Sequence, residues 1–307
     1  MHGRMKPMNN TPLLSGFTFI KNGLSLGYPI AESIKSIAPL CDEVIINVGF
    51  EDEDCTKDDG TYEYLRGEFS EEKYIFLKSF WDPEVTKNGL ILSQQTNIAL
   101  QACRGKYCQY IQGDEAIHED DYALIKSAVA ELEKSPEIMG VIFQYLHFYG
   151  STDIIKKTRN VYRREVRLIR NQQGIQSYLD AQGFKDRHGQ KLPSLESPAR
   201  IFHYGWARPS QLMDRKVKSF GKLYHGSEHK ESDFNYQRIW GLKPFKDGHP
   251  KVMTDWIQQN SEDLDIWSLP RKFEWKNIGL AISDFVESLT GHRIGEYKNF
   301  KKVRSIK

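Results

Sequence analysis

Cysteine is sparse in this chain, and its few positions form no motif. Its 307 residues hold four, Cys41, Cys55, Cys103 and Cys108, without a Cys-x-x-Cys pair, and the N-terminal stretch lacks the apolar core of a secretory signal. Both absences point to a reducing cytoplasm. No run approaches the roughly 18 apolar residues of a membrane span, so any membrane contact is expected to be peripheral, at the inner face. Net charge is nearly missing as well: at +2 it argues against a nucleic-acid partner and against a broad phosphate-binding face. Internal repeats and low-complexity tracts are also absent.

What is present suits one enzyme-sized globule. Hydrophobic residues make up 39% of the chain, enough to offset the entropy of ordering it. Positive charge is bunched at residues 163–170, 215–222 and 298–307, which fits either a phosphate-bearing partner or solvated helix faces. Residues 1–14 read as a disordered lead. Beyond them, apolar runs at 16–20, 43–49, 74–81, 107–112 and 140–149 read as strands. Helical periodicity fills the gaps at 29–37, 62–69, 90–102 and 120–134. Such alternation predicts an α/β fold with a mostly parallel central sheet and helices on both faces. Residues 15–150 then form a nucleotide-binding half and residues 151–307 a looser, loop-rich acceptor half, packed as one catalytic domain. A terminal amphipathic helix is expected at 277–289, with Ile278, Leu280, Ala281, Phe285 and Leu289 on its apolar face.

In parallel sheets, ligands bind at the carboxyl ends of strands. Asp114 and Glu115 stand at such an end, in a polar turn that interrupts an apolar run. Two adjacent carboxylates there call for a neutraliser, and a divalent cation, Mn²⁺ or Mg²⁺, holding a substrate diphosphate is the natural one. The bland alternative is that Glu115 caps the next helix.

The segment NIALQACRGKYCQYIQGDE at 97–115 resembles the family 2 glycosyltransferases, in which an Asn, a helix, a Gly and a strand precede a metal-binding acidic motif. FTFIKNG at 17–23 is similar to that family's first strand and Lys-Asn loop. DEVIINVG at 42–49, followed by DEDCT at 52–56, is similar to its second strand and acidic donor loop. This resemblance implies a GT-A fold, a nucleotide-sugar donor and a divalent metal, with donor-binding roles for Phe19, Asn22, Asn47, Asp52, Asp54, Asn97, Gln112 and Asp114. Gln112 replaces the first Asp of the family's Asp-x-Asp motif, and Gly49 or Asn47 stands where an Asp usually meets the base.

In IFHYGWAR, at 201–208, a late His and an Arg follow a short apolar strand. His203 is the expected second metal ligand beside Asp114, and Arg208 the expected diphosphate fork. Inverting transfer needs a carboxylate to take the acceptor's proton. Asp180, in the polar-aromatic stretch 177–184, ranks first for this, Glu165 second, and Asp153, Asp186 and Glu196 follow. The acceptor is expected to be a hydroxyl of a glycan, a lipid-linked molecule or a protein. Two other readings stand beside transfer. A nucleotidyltransferase would need a better Gly-rich loop than Lys21-Asn22-Gly23 offers, and a non-catalytic polyanion-binding protein would rest on the basic second half.

Overall fold

The computed structural model of the protein describes residues 11–306, apart from 173, 227, 231, 263, 272 and 273. Residues 1–10 of the expected lead lie outside the described residues. Strand and helix alternate through the first half: β1 (Leu14–Ile20), α1 (Ile30–Ile37), β2 (Glu43–Phe50), α2 (Thr61–Glu68), β3 (Tyr74–Phe80), α3 (Leu90–Ala102), β4 (Tyr107–Tyr110), β5 (Glu115–Ile117), α4 (Tyr122–Lys134) and β6 (Gly140–Tyr149). The second half continues with β7 (Ser151–Lys156), β8 (Arg164–Arg170), the short pair β9 (Gln176–Ser177) and β10 (Phe184–Lys185), and the long β11 (Pro193–Trp206). After these come α5 (Ser210–His225), β12 (Leu242–Pro244), α6 (Thr254–Gln259), α7 (Lys276–Thr290) and β13 (Lys301–Ser305).

The apolar run of β2 is buried along its whole length because the strand is central, parallel to β1 on one side and β3 on the other. Val44, Ile46 and Val48 pack with Ile30, Ile34 and Ile37 of α1 on one face, while Ile45 packs with Ala99 and Leu100 of α3 on the other. This is the expected α/β sheet with helices on both faces. Strand β4 joins parallel to β1 and completes the parallel block β3-β2-β1-β4.

The order departs from simple alternation at β6. Strand β8 lies between β4 and β6, antiparallel to both. Residues 164–170, in the half expected to be loop-rich, are therefore part of the sheet. Their pattern was masked by Arg167 and Arg170, which are charged yet buried, each with hydrogen-bond partners. Strand β11 runs parallel to β6 and antiparallel to β5, so the sheet continues across residue 150. The terminal helix forms, but of its expected apolar face only Leu280 is fully buried, and Ile278, Phe285 and Leu289 face solvent. Among the described residues, no helix is long and apolar enough to cross a membrane.

A tight crossing fixes the end of α3. The Gly105 amide donates to Ser15 Oγ at 2.7 Å, and Ser15 Oγ donates to Glu43 Oε1 at 2.7 Å. A Cβ on Gly105 would lie 2.7 Å from the Ser15 backbone nitrogen, so backbone would have to move. Gly105→Ala is expected to cost about 1–3 kcal/mol, read as a lower urea midpoint at unchanged slope. An unshifted midpoint would show that the crossing has slack.

Candidate functional site

The turn from β4 to β5 sends two neighbouring carboxylates in different directions. Glu115 points inward and is fully buried. Arg167 of β8 holds it with Nε at 3.1 Å and Nη2 at 2.9 Å, and Tyr145 Oη donates at 2.6 Å. The Gln112 amide closes the turn onto the same carboxylate at 3.0 Å. With its oxygens so occupied, Glu115 is a structural anchor.

Asp114 faces a cavity of about 540 Å³ at the carboxyl ends of the parallel strands. Lys216 of α5 donates to Asp114 Oδ2 at 2.9 Å, and Arg208 Nη2 lies 3.4 Å from the same oxygen. Burial by itself would raise the Asp114 carboxyl, but the surrounding positive charge, Lys216 foremost, outweighs it and holds the pKa well below the usual range. Burial pushes Lys216 down to about 8 against the attraction of Asp114. Arg208, expected to fork the diphosphate, instead donates to Leu26 O at 2.8 Å and lies over the Tyr28 ring, buried behind Asp114. The cation on the cavity wall in contact with Asp114 is Lys216. A signal for it existed in sequence: it interrupts the apolar stripe of Met213, Val217 and Phe220.

His203 lies beside Asp114 because β11 pairs with β5 in a register that sets His203 against Glu115, and the Tyr204 amide donates to Asp114 O at 2.8 Å. Its proton can be traced. His147 Nε2 meets the Tyr162 carbonyl, which only accepts, so that nitrogen carries the hydrogen. Burial pushes His147 down to about 4, so its Nδ1 is bare and accepts from His203 Nδ1 at 3.0 Å. Burial likewise keeps His203 neutral, which leaves Nε2 a bare acceptor 3.7 Å from Asp114 Oδ1. Two acceptors therefore face each other with no hydrogen between them. Gly205 keeps the gap open, since a Cβ there would lie 2.6 Å from His203 Nε2 and 2.9 Å from Asp114 Oδ2. Asp114 and His203 fit a cation as a two-donor set. Among the described residues, no group of three or more His, Cys, Asp or Glu could hold a metal.

A second cavity of about 770 Å³ adjoins the first, and both are lined by Tyr162, Asp180, Gln182, His203, Trp206 and Tyr224. Asp180 is thus at the junction. Its neighbours Leu179 and Ala181 both have left-handed backbone, φ 49° and 59°, which costs about 1–3 kcal/mol each. Burial raises the Asp180 pKa. Glu165 lies deeper, outside both cavity walls, with Oε2 lacking a hydrogen-bond partner, and burial pushes it up to about 8. Of the lower-ranked carboxylates, Asp153 is exposed, Asp186 closes its own turn, and Glu196 pairs with Arg164 and Lys302.

The remaining expected donor residues divide. Phe19, Asn22 and Gln112 line the first cavity, where the Phe19 ring lies 5.9 Å from that of Trp81. Asn47 does not: it is buried in a network with Ser79 and Gln95. Asn97 exchanges two hydrogen bonds with the Ser177 backbone and so ties α3 to the strand leading to Asp180. Asp52 closes its own loop on the Thr56 and Lys57 amides, and Asp54 is exposed; neither joins Asp114. The basic run at 163–170 is turned inward, with Arg163 on Glu287, Arg164 on Glu196 and Glu296, and Arg167 on Glu115, so it offers no polyanion surface.

No protein-family model and no curated protein matches the chain. Among solved structures it is similar to S. aureus TarS 1-349 in complex with UDP, at 16% identity and a TM-score of 0.33 over 52% of this chain and 47% of that one. It is also similar to S. aureus TarS, at 15% identity and a TM-score of 0.35 over 68% and 39%. A third is glucosyl-3-phosphoglycerate synthase from Mycobacterium tuberculosis with Mn²⁺, UDP and phosphoglyceric acid, at 19% identity and a TM-score of 0.30 over 45% and 43%. The chain spans less than half the length of each.

Removing one partner of the buried pair should be costly. Arg167→Met leaves Glu115 uncompensated and is expected to lose about 3–5 kcal/mol in urea unfolding, whereas a loss below about 1 kcal/mol would mean that Tyr145 and the Gln112 amide suffice. Glu165 gives a pH signature. Its folded pKa of about 8 lies above the unfolded 4.5, so its contribution is full below pH 4.5 and is lost as pH rises towards 8. Across that window the stability of the wild type relative to Glu165→Gln should fall by about 1.4 kcal/mol per pH unit. Parallel pH profiles for the two proteins would place the ionised carboxylate in a solvated site.

Proposed function

We propose that the chain is a glycosyltransferase of GT-A type that moves a sugar from a nucleoside diphosphate to a hydroxyl acceptor, with inversion. One observation carries this reading. The bare acceptors His203 Nε2 and Asp114 Oδ1 face each other across 3.7 Å, beside the junction of two cavities that share Asp180. A divalent cation satisfies such a pair, and Mn²⁺ or Mg²⁺ takes its other ligands from water and substrate phosphates. Asp114 and His203 would hold such an ion, which when bound would supply Lewis-acid neutralisation of the leaving diphosphate.

The chain's own residues supply the rest. Phe19 and Trp81, with Lys21 Nζ 5.8 Å from the indole, offer a nucleobase an aromatic wall in the first cavity. Lys216 presents an ammonium to the diphosphate from the same wall. Asp180 accepts the proton of the acceptor hydroxyl as it attacks the anomeric carbon; its strained neighbours and its seat between the cavities suit a base fixed against both substrates. Glu165, protonated near neutral pH, is read as support for Asp180. Residues 15–150 form the donor half in this reading, and 151–307 the acceptor half.

The test is a thermal-shift screen of nucleoside diphosphates with and without Mn²⁺. One nucleotide should raise Tm, and more so with the ion. Asp180→Asn should keep that shift while transfer slows by about 10²–10⁴-fold. Wild-type transfer by Asp180→Asn would remove it from the chemistry, and no shift with any nucleotide would remove the donor site.

A further inference from the structure

Three arginines close in sequence to residues that line the second cavity are ion-paired. Arg163 meets Glu287, Arg164 meets Glu196 and Glu296, and Arg293 meets Glu287 and Glu296. Arg159 differs: it lines the cavity, and among the described residues no carboxylate stands within ion-pair distance of it. Its seat is nevertheless built. A Cβ on Gly279 of α7 would lie 3.0 Å from Arg159 Nη2, and one on Gly295 would lie 2.8 Å from Nη1. Gly295 also has φ +65°, a second reason for glycine there. Two glycines thus leave room for a guanidinium to which, among the described residues, no carboxylate supplies a counter-charge. Lys156 lines the same cavity, close enough to His147 to help depress that imidazole.

A half-buried guanidinium without a counterion is unfavourable unless a ligand brings one, and its planar fork matches phosphate or carboxylate oxygens two at a time. We propose that the second cavity takes a hydroxyl acceptor carrying an anionic group, phosphate or carboxylate. Arg159 grips that group, Lys156 adds a second positive charge, and the hydroxyl is left towards Asp180. Assigning the cavity to the acceptor rests on the glycosyl-transfer reading, whereas the anion site itself rests on Arg159 and its two glycines.

The experiment compares glycerol 3-phosphate, glycerate and glycerol as thermal-shift ligands of the full chain. Ionic strength is matched, and UDP, or whichever nucleoside diphosphate stabilises the protein, is kept saturating so that the first cavity is filled. Glycerol 3-phosphate or glycerate should raise Tm where glycerol does not, and the stronger of the two names the anion. Arg159→Gln should weaken that binding about tenfold or more, leaving the nucleotide shift unchanged, and Arg159→Lys should recover part of it. Equal shifts with glycerol, or undiminished anion binding by Arg159→Gln, overturn the inference. If no nucleotide binds but the Arg159-dependent anion shift persists, the transfer reading fails and the anion site stands.

Discussion

The site depends on the guanidinium of Arg167. It is fully buried, holds Glu115 through two hydrogen bonds, and lies 5.1 Å from the ring centroids of both Tyr110 and Tyr145. A further bond of 2.7 Å goes to the Gln182 carbonyl. Its partners belong to β4, β5, β6 and the segment between β9 and β10, so one side chain joins four pieces of chain. Because Glu115 is held inward, Asp114 is left to face the first cavity; because Gln182 is held, Asp180 two residues earlier is fixed at the junction. Buried ion pairs add little net stability, since desolvation offsets their attraction. Placement of the two carboxylates is what this one accomplishes.

Much of this was legible in the sequence where burial and polarity agree. The apolar run of β2, the spacing of Ile30, Ile34 and Ile37, and the polar turn after β4 each have one simple physical reading, and the fold follows it. His203 and Asp114 were expected together, and strand pairing brings them together. Legibility failed where a charged group is buried. Strand β8 was hidden by its own arginines, and Lys216 was counted with a basic cluster although it alone of that cluster turns inward to Asp114. Asn47 failed for the opposite reason: an amide at a strand end can serve a ligand or satisfy a core network, and only the positions of Ser79 and Gln95 decide between them.

The departure at Gln112 has a structural counterpart. Its side-chain amide donates to Tyr110 Oη and to the Ala181 carbonyl, each at 3.3 Å, and so braces the strained segment that carries Asp180. A carboxylate at 112 would donate nothing to that carbonyl. The residue that weakens the acidic motif as a metal site therefore strengthens the seat of the proposed base.

Asp114 divides its two oxygens between different duties. Oδ2 takes Lys216 and Arg208, while Oδ1 is turned to the bare nitrogen of His203. Around Asp114 itself, one carboxylate is set against two cations and a neutral imidazole, so its immediate surroundings are net positive without a ligand. A divalent cation entering alone would be repelled by Lys216 and Arg208, and those charges are poorly screened because the groups are buried. On the proposed reading, a diphosphate arriving with the cation would reverse the balance, since its negative charge would meet the ion and Lys216 at once. Charge alone would therefore couple the two proposed ligands, and each should bind more tightly in the presence of the other by the same factor.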